Sequence, residues 1–422
     1  MAENKQEKNV ILYRAGLAAV FAWLFFAGCS YYFRFRLEPL VFFTGVSHFF
    51  IPSFILSIFS TFKNVKDGTG VYEIKADHKK INIKDLNPDE IRRKIIGLGC
   101  PAYRAGQIFR WVYEKGTESF DEMTDLPGEF RDKLKKCFII GSIRPFLNEQ
   151  SKSADGTTKV LYRLSDGEII ESVIIPSGDE CTVCVSTQAG CRFRCAFCAS
   201  GMSGFRRNLS PGEIVDQVLL AKAGGCRVTR VVFMGIGEPL DNYDNLTRAV
   251  RILNHKNGLN IGARKMTVST CGLPDGIRKL SGLGLQIELS VSLHAAYDKL
   301  RQKLMPVAKH YKLERLISAL EDFIRRTKRK ITFEYVLIKG VNDSDDCAVK
   351  LSGLAHRLKA KVNLIPMSPV KGSDMESSVR AGEFLRILAR TCVPATIRRS
   401  RGADINAACG QLRRQHDKFL SK

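Results

Sequence analysis

Residues 184–204 read CVSTQAGCRFRCAFCASGMSG, and three cysteines in this stretch have the spacing C-x3-C-x2-C. They are Cys191, Cys195 and Cys198. Three thiolates this close together on one loop can ligate three irons of a cubane iron–sulfur cluster. The fourth iron then lacks a protein ligand and can bind a small molecule. The spacing therefore predicts a 4Fe–4S site with one open iron.

A structural zinc site is the alternative interpretation of the same region. Cys181 and Cys184 form a C-x2-C pair, and Cys195 and Cys198 form another after ten intervening residues. Two such pairs are typical of zinc sites. Zinc would leave Cys191 without a role, so we favour the iron–sulfur cluster.

The charge of the chain indicates a polyanionic partner. Its 422 residues include 66 Lys and Arg against 43 Asp and Glu, a net charge of +23 that is spread along the chain. Such a field attracts nucleic acid, although a basic protein without such a partner is the alternative. Thirteen cysteines, an odd number at irregular spacing, argue against a disulfide framework and for a reducing, cytoplasmic compartment.

Residues 1–80 differ from the rest of the chain. Residues 15–33 and 39–62 carry no charge, and each run is long enough to cross a bilayer. The first run also resembles a signal peptide, but export would carry an oxygen-sensitive cluster away from its electron supply. Two interpretations of the hydrophobic extension and its linker remain: a membrane tether on a cytoplasmic enzyme, or upstream DNA that is translated because the start codon is misassigned. We favour the misassigned start, because the motifs downstream need none of this stretch, and membrane association is doubtful.

Residues 81–145 are predicted to form a small helical domain. Asn87 is a cap residue and Pro88 suits the first turn of a helix. The basic residues of this domain indicate either an RNA-docking module or a solvated charged surface. Residues 146–180 follow as a β-hairpin with strands at 158–164 and 168–175. The predicted helices are at 88–97, 103–115 and 127–137.

Residues 181–415 alternate apolar strands with amphipathic helices, which predicts an α/β fold, a partial or complete (β/α) barrel. In such a barrel the active residues stand at the carboxyl ends of the strands. The predicted strands are at 181–187, 228–235, 265–270, 286–293, 330–338, 361–367 and 395–399. The predicted helices are at 211–224, 242–254, 274–282, 312–327, 345–358 and 378–392.

Unusual residues stand where these strands end. The strand at 228–235 runs into Gly237 and Glu238, where glycine lets a ligand approach the backbone and a carboxylate can bind an ammonium group. Each strand end taken alone is more typical of an ordinary turn. Together they predict a pocket with hydroxyl, imidazole and amide groups suited to a ribose and an adenine. The other polar strand ends carry Ser269, Ser292, His294 and Asn363.

A last unusual string, RGADINAACGQL, occupies residues 401–412 and contains Cys409. It follows a cluster of arginines, and positive charge lowers the pKa of a thiol and makes it a nucleophile. The alternative is an inert small residue in a loop.

Taken together, residues 81–415 resemble the radical S-adenosylmethionine (SAM) enzymes that methylate C2 of adenine in 23S ribosomal RNA and transfer RNA. That resemblance implies a radical SAM barrel preceded by an RNA-binding accessory domain. Besides the cluster spacing, it rests on the strings ESVIIP at 171–176, CVSTQAGC at 184–191, GIGEPL at 235–240, SLHA at 292–295 and RGADINAACGQL at 401–412.

The resemblance also implies the cofactors and their ligands. Cys191, Cys195 and Cys198 would bind a 4Fe–4S cluster whose open iron chelates SAM. A one-electron donor such as flavodoxin would reduce the cluster, and no obligate protein partner is expected. The residues that match the SAM contacts of the family are Gly237, Glu238, Ser269, Ser292, Leu293, His294 and Asn363.

The resemblance implies roles for three further residues. Adenine C2 has no lone pair and cannot attack the methyl group of SAM, so an enzyme thiol, Cys409, would be methylated first. A radical from a second SAM would take hydrogen from that methyl group, and the methylene radical would add to C2. Glu171 would then remove the C2 proton. Cys184 would attack the sulfur of Cys409, forming a transient disulfide and releasing the product.

Three other functions compete with this one. An adenine-C8 methyltransferase of 23S ribosomal RNA, which confers antibiotic resistance, shares the same cysteines and SAM motifs. A zinc-stabilised RNA-binding protein would have no catalysis, and a membrane-tethered interaction protein would need residues 15–62 to span a bilayer. Cys181 is an additional thiol that departs from the family pattern, and we expect that it could mispair with Cys184.

Overall fold

Within the residues that the computed structural model describes, 80–141, 143–145, 151–370 and 372–412, an eleven-stranded sheet forms the centre of the fold. Two short pairs, β1 with β2 and β8 with β9, lie apart from it. The strands are β1 Ile81–Asn82, β2 Phe138–Ile139, β3 Arg144–Pro145, β4 Ser151–Lys152, β5 Thr158–Arg163, β6 Ile169–Ser177, β7 Glu180–Cys184, β8 Gln188–Gly190, β9 Phe205–Asn208, β10 Val228–Phe233, β11 Met266–Thr270, β12 Glu288–Ser292, β13 Ile331–Leu337, β14 Lys361–Pro366 and β15 Ala395–Ile397.

Helices separate the parallel strands along the chain. The helices are α1 Pro88–Gly97, α2 Arg104–Arg110, α3 Gly128–Cys137, α4 Ala199–Met202, α5 Pro211–Ala223, α6 Tyr243–Asn254, α7 Pro274–Ser281, α8 Asp298–Leu304, α9 Leu313–Thr327, α10 Asp345–Leu358 and α11 Ala381–Arg390. In α9 the apolar stripe Leu316, Leu320 and Phe323 is fully buried, as the period of 3.6 residues predicts.

The sheet runs in the order β15-β14-β13-β12-β11-β10-β7-β6-β5-β3, with β4 paired to β5. From β7 to β15 the neighbours are parallel, because each crossover contains a helix. Strands β6, β5 and β3 continue the sheet antiparallel. Among the described residues the terminal strands β15 and β3 do not pair with each other. Of the two predicted alternatives, a partial and a complete (β/α) barrel, the structure has the partial barrel.

The C-terminal loop spans the open side of the sheet. Ser153 Oγ donates to Asp404 Oδ1 at 2.6 Å, and the backbone N–H of Gly402 donates to Asp155 Oδ2 at 3.2 Å. These bonds tie the loop after β15 to the turn between β4 and β5. As a result, Cys409 is held over the sheet although it lies near the end of the chain.

Most predicted elements are confirmed to within a few residues. The predicted capping of α1 is present, since Asn87 Oδ1 accepts from the N–H of Glu90 at 2.9 Å. The helix predicted at 103–115 is α2, which continues as a π-turn, Trp111–Lys115, and ends at Gly116 with φ of 73°. Helix α8 and the hairpin of β8 and β9 were not predicted.

The helical N-terminal part is joined to the sheet by a buried ion pair. Lys84 Nζ lies 2.6 Å from Asp216 Oδ1 on α5, and both side chains are nearly inaccessible. Asp216 Oδ2 also accepts from the N–H of Ile143 at 3.1 Å. All described residues belong to one unit, His78–Lys422, and the division at residues 145 and 180 stays a proposal.

No helix in the described part of the chain has the length and apolar character needed to cross a bilayer. The two uncharged runs at 15–33 and 39–62 lie outside the described residues.

Candidate active site

The loop that carries the three cysteines is held in place by the hairpin of β8 and β9. Gly190 has φ of 82°, and a Cβ there would lie 1.6 Å from the carbonyl oxygen of Gly204, so only glycine fits. The N–H of Cys191 donates to that same oxygen at 3.2 Å. Farther along the loop, the N–H of Ala196 donates to Leu304 O at 2.9 Å. The loop is thus fixed at both ends by backbone bonds.

Cys191, Cys195 and Cys198 line one cavity, as predicted. Burial raises the pKa of Cys191 to about 12 and that of Cys195 well above its ordinary value. Buried thiols of this kind stay protonated unless a metal binds the sulfur and displaces the proton. Three soft sulfur donors on one wall fit an iron–sulfur cluster, which takes one thiolate at each of three irons.

Single-ion metal sites need ligands that converge on one point. In the described ranges no three His, Cys, Asp or Glu side chains stand close enough to hold one ion. Cys181 and Cys184 point to opposite faces of β7, Cys181 into the main core beside Cys226 and Cys184 into a smaller cluster with Ala407. The expected mispairing of Cys181 with Cys184 is therefore wrong, and the pair expected for zinc does not converge.

The cavity has an empty volume of ≈ 880 Å³, which includes the space open to solvent at its mouth. Glu238 is buried in its wall, and its carboxylate accepts from the N–H of Cys271 at 2.7 Å and of Leu240 at 3.0 Å. Burial raises the pKa of Glu238, and these bonds oppose that rise. Gly237, Ser269, Ser292 and His294 also line the cavity.

Gly237 has a steric reason to be glycine besides the predicted approach of a ligand. Its φ is 106°, and a Cβ there would lie 2.5 Å from Cβ of Gln188. The close approach that the structure describes is to strand β8. The backbone N–H of Glu238 also donates to Gln188 Oε1 at 2.9 Å. The side chain of Gln188 therefore helps to hold the backbone of this cavity wall in place.

His294 is a neutral imidazole. Burial lowers its pKa to about 3, and its Nδ1 accepts from the N–H of Val336 at 3.0 Å. Its ring meets Phe197 edge-on, with the centroids 4.6 Å apart. This contact connects the strand end at β12 to the loop of the three cysteines.

Two predicted SAM contacts lie outside the cavity wall. Leu293 is fully buried, and its N–H donates to Glu334 O at 3.1 Å. Asn363 Nδ2 donates to Glu334 Oε1 at 3.0 Å. Glu334 itself lines the cavity and was not predicted. Its signal in the sequence is a carboxylate inside the otherwise apolar strand ITFEYVL.

Cys409 and Cys184 are brought together by the C-terminal loop. Both line a second cavity, and Cys409 also lines the first. Cys409 is exposed, whereas Cys184 is buried. Burial foremost, and then neighbouring Cys409, raise the pKa of Cys184 to about 12, while Arg398 opposes the rise. The exposed and the buried thiol are neighbours, as the resemblance implies for a transient disulfide.

Arg398 is a cation shared by the two cavities. It lines both, and the pKa of its guanidinium is raised by Cys409 first, with Glu334 and Cys184 adding to the rise. Arg399 and Arg401 line the second cavity alone, so among these three arginines the half-buried Arg398 is the one that also lines the first cavity.

Glu171 lies on β6 next to this site but in neither cavity wall. Its carboxylate is buried, with Oε1 3.7 Å from Lys159 Nζ. Strand alternation puts it on the same face as Val173 and Ile175, which do line the second cavity. A carboxylate at this place is a candidate proton acceptor.

Comparisons with known proteins agree with this geometry. Residues 185–350 match the model of the radical SAM superfamily, and residues 81–140 match that of the ribosomal RNA large subunit methyltransferase N-terminal domain. A probable dual-specificity RNA methyltransferase RlmN of Thermotoga maritima is 45% identical over 342 residues, 81% of this chain and 99% of that protein. A protein of the same description from Clostridioides difficile is 44% identical over 343 residues, again 81% of this chain and 99% of its own length.

A solved structure is similar over the same share of the chain. The crystal structure of a radical SAM methyltransferase from Sphaerobacter thermophilus has a TM-score of 0.74 and 43% sequence identity. The match covers 79% of this chain and 99% of that one.

Proposed function

Because this chain belongs to the RlmN family of radical SAM RNA methyltransferases, we propose that its product is 2-methyladenosine. The modified nucleotides would be an adenosine of the peptidyl-transferase centre in 23S ribosomal RNA and the adenosine next to the anticodon in transfer RNA. The reaction would take place in the cytoplasm, where these RNAs and reducing conditions occur together.

The observation that carries this proposal is the pair of thiols in adjoining cavities. Cys409 lines the cavity of the three cysteines and also the cavity of Cys184. A methyl group on Cys409 would therefore face the cofactor side, while its sulfur stays within reach of the resolving thiol. An enzyme that passed a methyl group directly from SAM to an RNA nucleophile would need neither thiol.

The cofactors would be held by residues already described. Cys191, Cys195 and Cys198 would bind a 4Fe–4S cluster, and Glu238, Ser269, Ser292 and His294 would contact SAM from the cavity wall. When bound, these groups supply a methyl group and, after one-electron reduction by a donor such as flavodoxin, a carbon radical.

The residues of the chain would perform the remaining steps. Cys409 would take the methyl group as a thiolate, forming the carbon–sulfur bond. Once the methyl carbon of Cys409 is bonded to adenine C2, one electron would leave the adduct and Glu171, 3.7 Å from Lys159, would accept the proton from C2. Cys184 would then attack the sulfur of Cys409 as a thiolate, so that a disulfide forms, the carbon–sulfur bond breaks and the released carbon takes a proton to become the methyl group of the product. Two electrons from outside would restore both thiols.

The target adenine would have to leave its stack to reach the cavity mouth, which favours RNA loops and ends. Residues 81–145 would hold the RNA backbone, residues 146–180 would lead into the core, and residues 181–415 would perform the chemistry. Exposed Arg92, Arg93 and Lys94 on α1 support this docking role, because phosphate contacts position an RNA without reading its sequence.

Nucleoside mass spectrometry tests the proposal. The full chain is reconstituted anaerobically with iron and sulfide and given SAM, a reductant and protein-free 23S ribosomal RNA or transfer RNA. We expect 2-methyladenosine from the native chain and none from Cys409→Ala or Cys195→Ala. The control variant Cys392→Ala removes an exposed cysteine outside the site and should give the native yield. An 8-methyladenosine peak would instead assign the chain to the C8 reaction. A SAM-cleaving protein without methylated adenosine would overturn the substrate assignment.

A further inference from the structure

Arg301 is a fully buried arginine whose hydrogen bonding is incomplete. It lies in α8 with 0% of its surface exposed. Its Nη2 donates to Cys271 O at 2.7 Å, but Nε and Nη1 have no hydrogen-bond partner within the described ranges. The carboxylate of Asp298 on the same helix accepts from the N–H of Leu313 at 2.8 Å.

A guanidinium in this position needs a counter-charge. Removing a cation from water costs several kcal/mol unless an anion and hydrogen bonds replace the water. Buried arginines are therefore nearly always paired. Among the described residues, the carboxylate of Asp298 is an electrostatic neighbour, but only Cys271 O accepts a hydrogen bond from the guanidinium, so Nε and Nη1 still lack acceptors.

The surroundings of Arg301 point to the cysteine loop. Besides Asp298, its electrostatic neighbours are Cys271 and Cys195, and both of these cysteines line the first cavity. Helix α8 itself holds the loop, because Leu304 O accepts from the N–H of Ala196, the residue after Cys195. A cubane cluster bound through three thiolates carries net negative charge, which increases when it is reduced.

We propose that Arg301 is a positioning residue that provides the buried counter-charge and two hydrogen-bond donors for an iron–sulfur cluster on Cys191, Cys195 and Cys198. This inference rests on the cluster assignment made under Proposed function. A positive charge at this place stabilises the reduced cluster more than the oxidised one. It therefore raises the reduction potential and eases electron uptake from the donor.

Redox titration of the reconstituted full chain tests this role. Arg301→Gln removes the charge but can still donate to Cys271 O, and Arg301→Lys keeps the charge. Arg251→Gln is the matched control, because Arg251 Nη2 also donates to a backbone carbonyl, Leu283 O, at 3.1 Å outside both cavities. We expect Arg301→Gln to hold less iron and sulfide than the native chain and to have a more negative midpoint potential. Arg301→Lys should recover part of the iron and sulfide content and part of the potential. Arg251→Gln should match the native chain in both quantities.

Melting of the iron-free chain separates this role from a structural one. Without the cluster, Arg301→Gln removes a buried charge whose hydrogen bonding is incomplete, so its melting temperature should equal or exceed the native value. A native potential in Arg301→Gln, or an equal loss of melting temperature with and without the cluster, would overturn the inference. A native chain that binds no iron and sulfide would instead contradict the proposed function.

Discussion

At the scale of single residues, the site depends on how its thiols differ. Cys409 is exposed and Cys184 is buried, although both line one cavity. The thiolate is the reactive form of cysteine, and burial disfavours it. Cys409 is thus suited to meet SAM and substrate, and Cys184 is suited to stay unreactive until a sulfur is presented to it.

Alkylation of the cluster-free chain with iodoacetamide should therefore modify Cys409 well before Cys184. The pKa of Cys184 is about 12, above neutral pH, so its thiolate fraction and its alkylation rate should rise roughly tenfold per pH unit from pH 7 to 10. Peptide mass spectrometry at timed points measures both rates. In urea the two cysteines should react alike; equal rates in the folded chain at pH 7 would contradict the assigned burial.

Arg398 should increase the reactivity of Cys184, because its positive charge lowers the pKa of that thiol. Replacing Arg398 with Gln removes a cation that lowers the pKa of Cys184, so the pKa should rise further. We expect alkylation of Cys184 at pH 9 to become slower, because a higher pKa leaves a smaller thiolate fraction. Arg399→Gln is the matched control, since Arg399 is exposed in the wall of the same cavity. Equal slowing in both variants would mean that general surface charge is responsible.

At the scale of elements, the hairpin of β8 and β9 determines the shape of the cysteine loop. The two strands pair antiparallel, with Gln188 opposite Asn208. The side chain of Gln188 also binds Asn208 and the carboxylate of Asp241, at 2.8 Å and 2.7 Å. The loop is therefore anchored to the strand end of β10 before any cofactor binds.

Substituting the two glycines of this hairpin should give different results. In Gly190→Ala the new Cβ would overlap the carbonyl oxygen of Gly204, and the loop would have to move. We expect this variant to lose most of its iron on reconstitution and to melt at a lower temperature. Gly204→Ala meets no atom within 4 Å and should cost only about 1–2 kcal/mol of left-handed strain, with iron retained. Iron and sulfide per chain measure the outcome, and similar losses in both variants would refute the packing argument.

At the scale of the whole molecule, contacts between distant parts of the chain hold the site together. The N-terminal helices bind α5 through Lys84 and Asp216, and the C-terminal loop binds the β4–β5 turn through Asp404. Cys409 reaches Cys184 only because that loop crosses the open side of the sheet.

Breaking the buried ion pair should destabilise the whole unit. Asp216→Ala leaves Lys84 buried without a counter-charge, which should lower the free energy of unfolding by about 3–5 kcal/mol. The double variant Lys84→Met with Asp216→Leu should lose less, because no charge is left unpaired. Lys350→Met removes the exposed pair with Asp346, whose side chains are 45% and 64% accessible, and should change the free energy by less than about 1 kcal/mol. Urea denaturation measures all three; equal effects of Asp216→Ala and Lys350→Met would show that burial is irrelevant here.

Much of this architecture follows from local sequence. The helix bounds of α9 and α10 and the strand β13 were predicted closely, because the period of apolar residues and the caps are encoded in neighbouring positions. Spacing alone predicted that Cys191, Cys195 and Cys198 lie together, since a short loop brings close residues together in any fold, and their role as cluster ligands stays a prediction. The roles of Cys184, Cys409 and Glu171 came from the resemblance to a family and stay predictions.

Only the tertiary structure decided which charged residues belong to the site. Arg301, Glu334 and Arg398 look like ordinary residues of a helix, a strand and a basic run. The burial of Arg301 and Glu334, and the position of Glu334 and Arg398 in the cavity wall, set them apart. Cys181 and Cys184 look alike in sequence, but the alternation of β7 sends them to opposite faces. The physical reason is that the cost of burying a charge and the pKa of a thiol depend on neighbours far away in the chain, which no local pattern specifies.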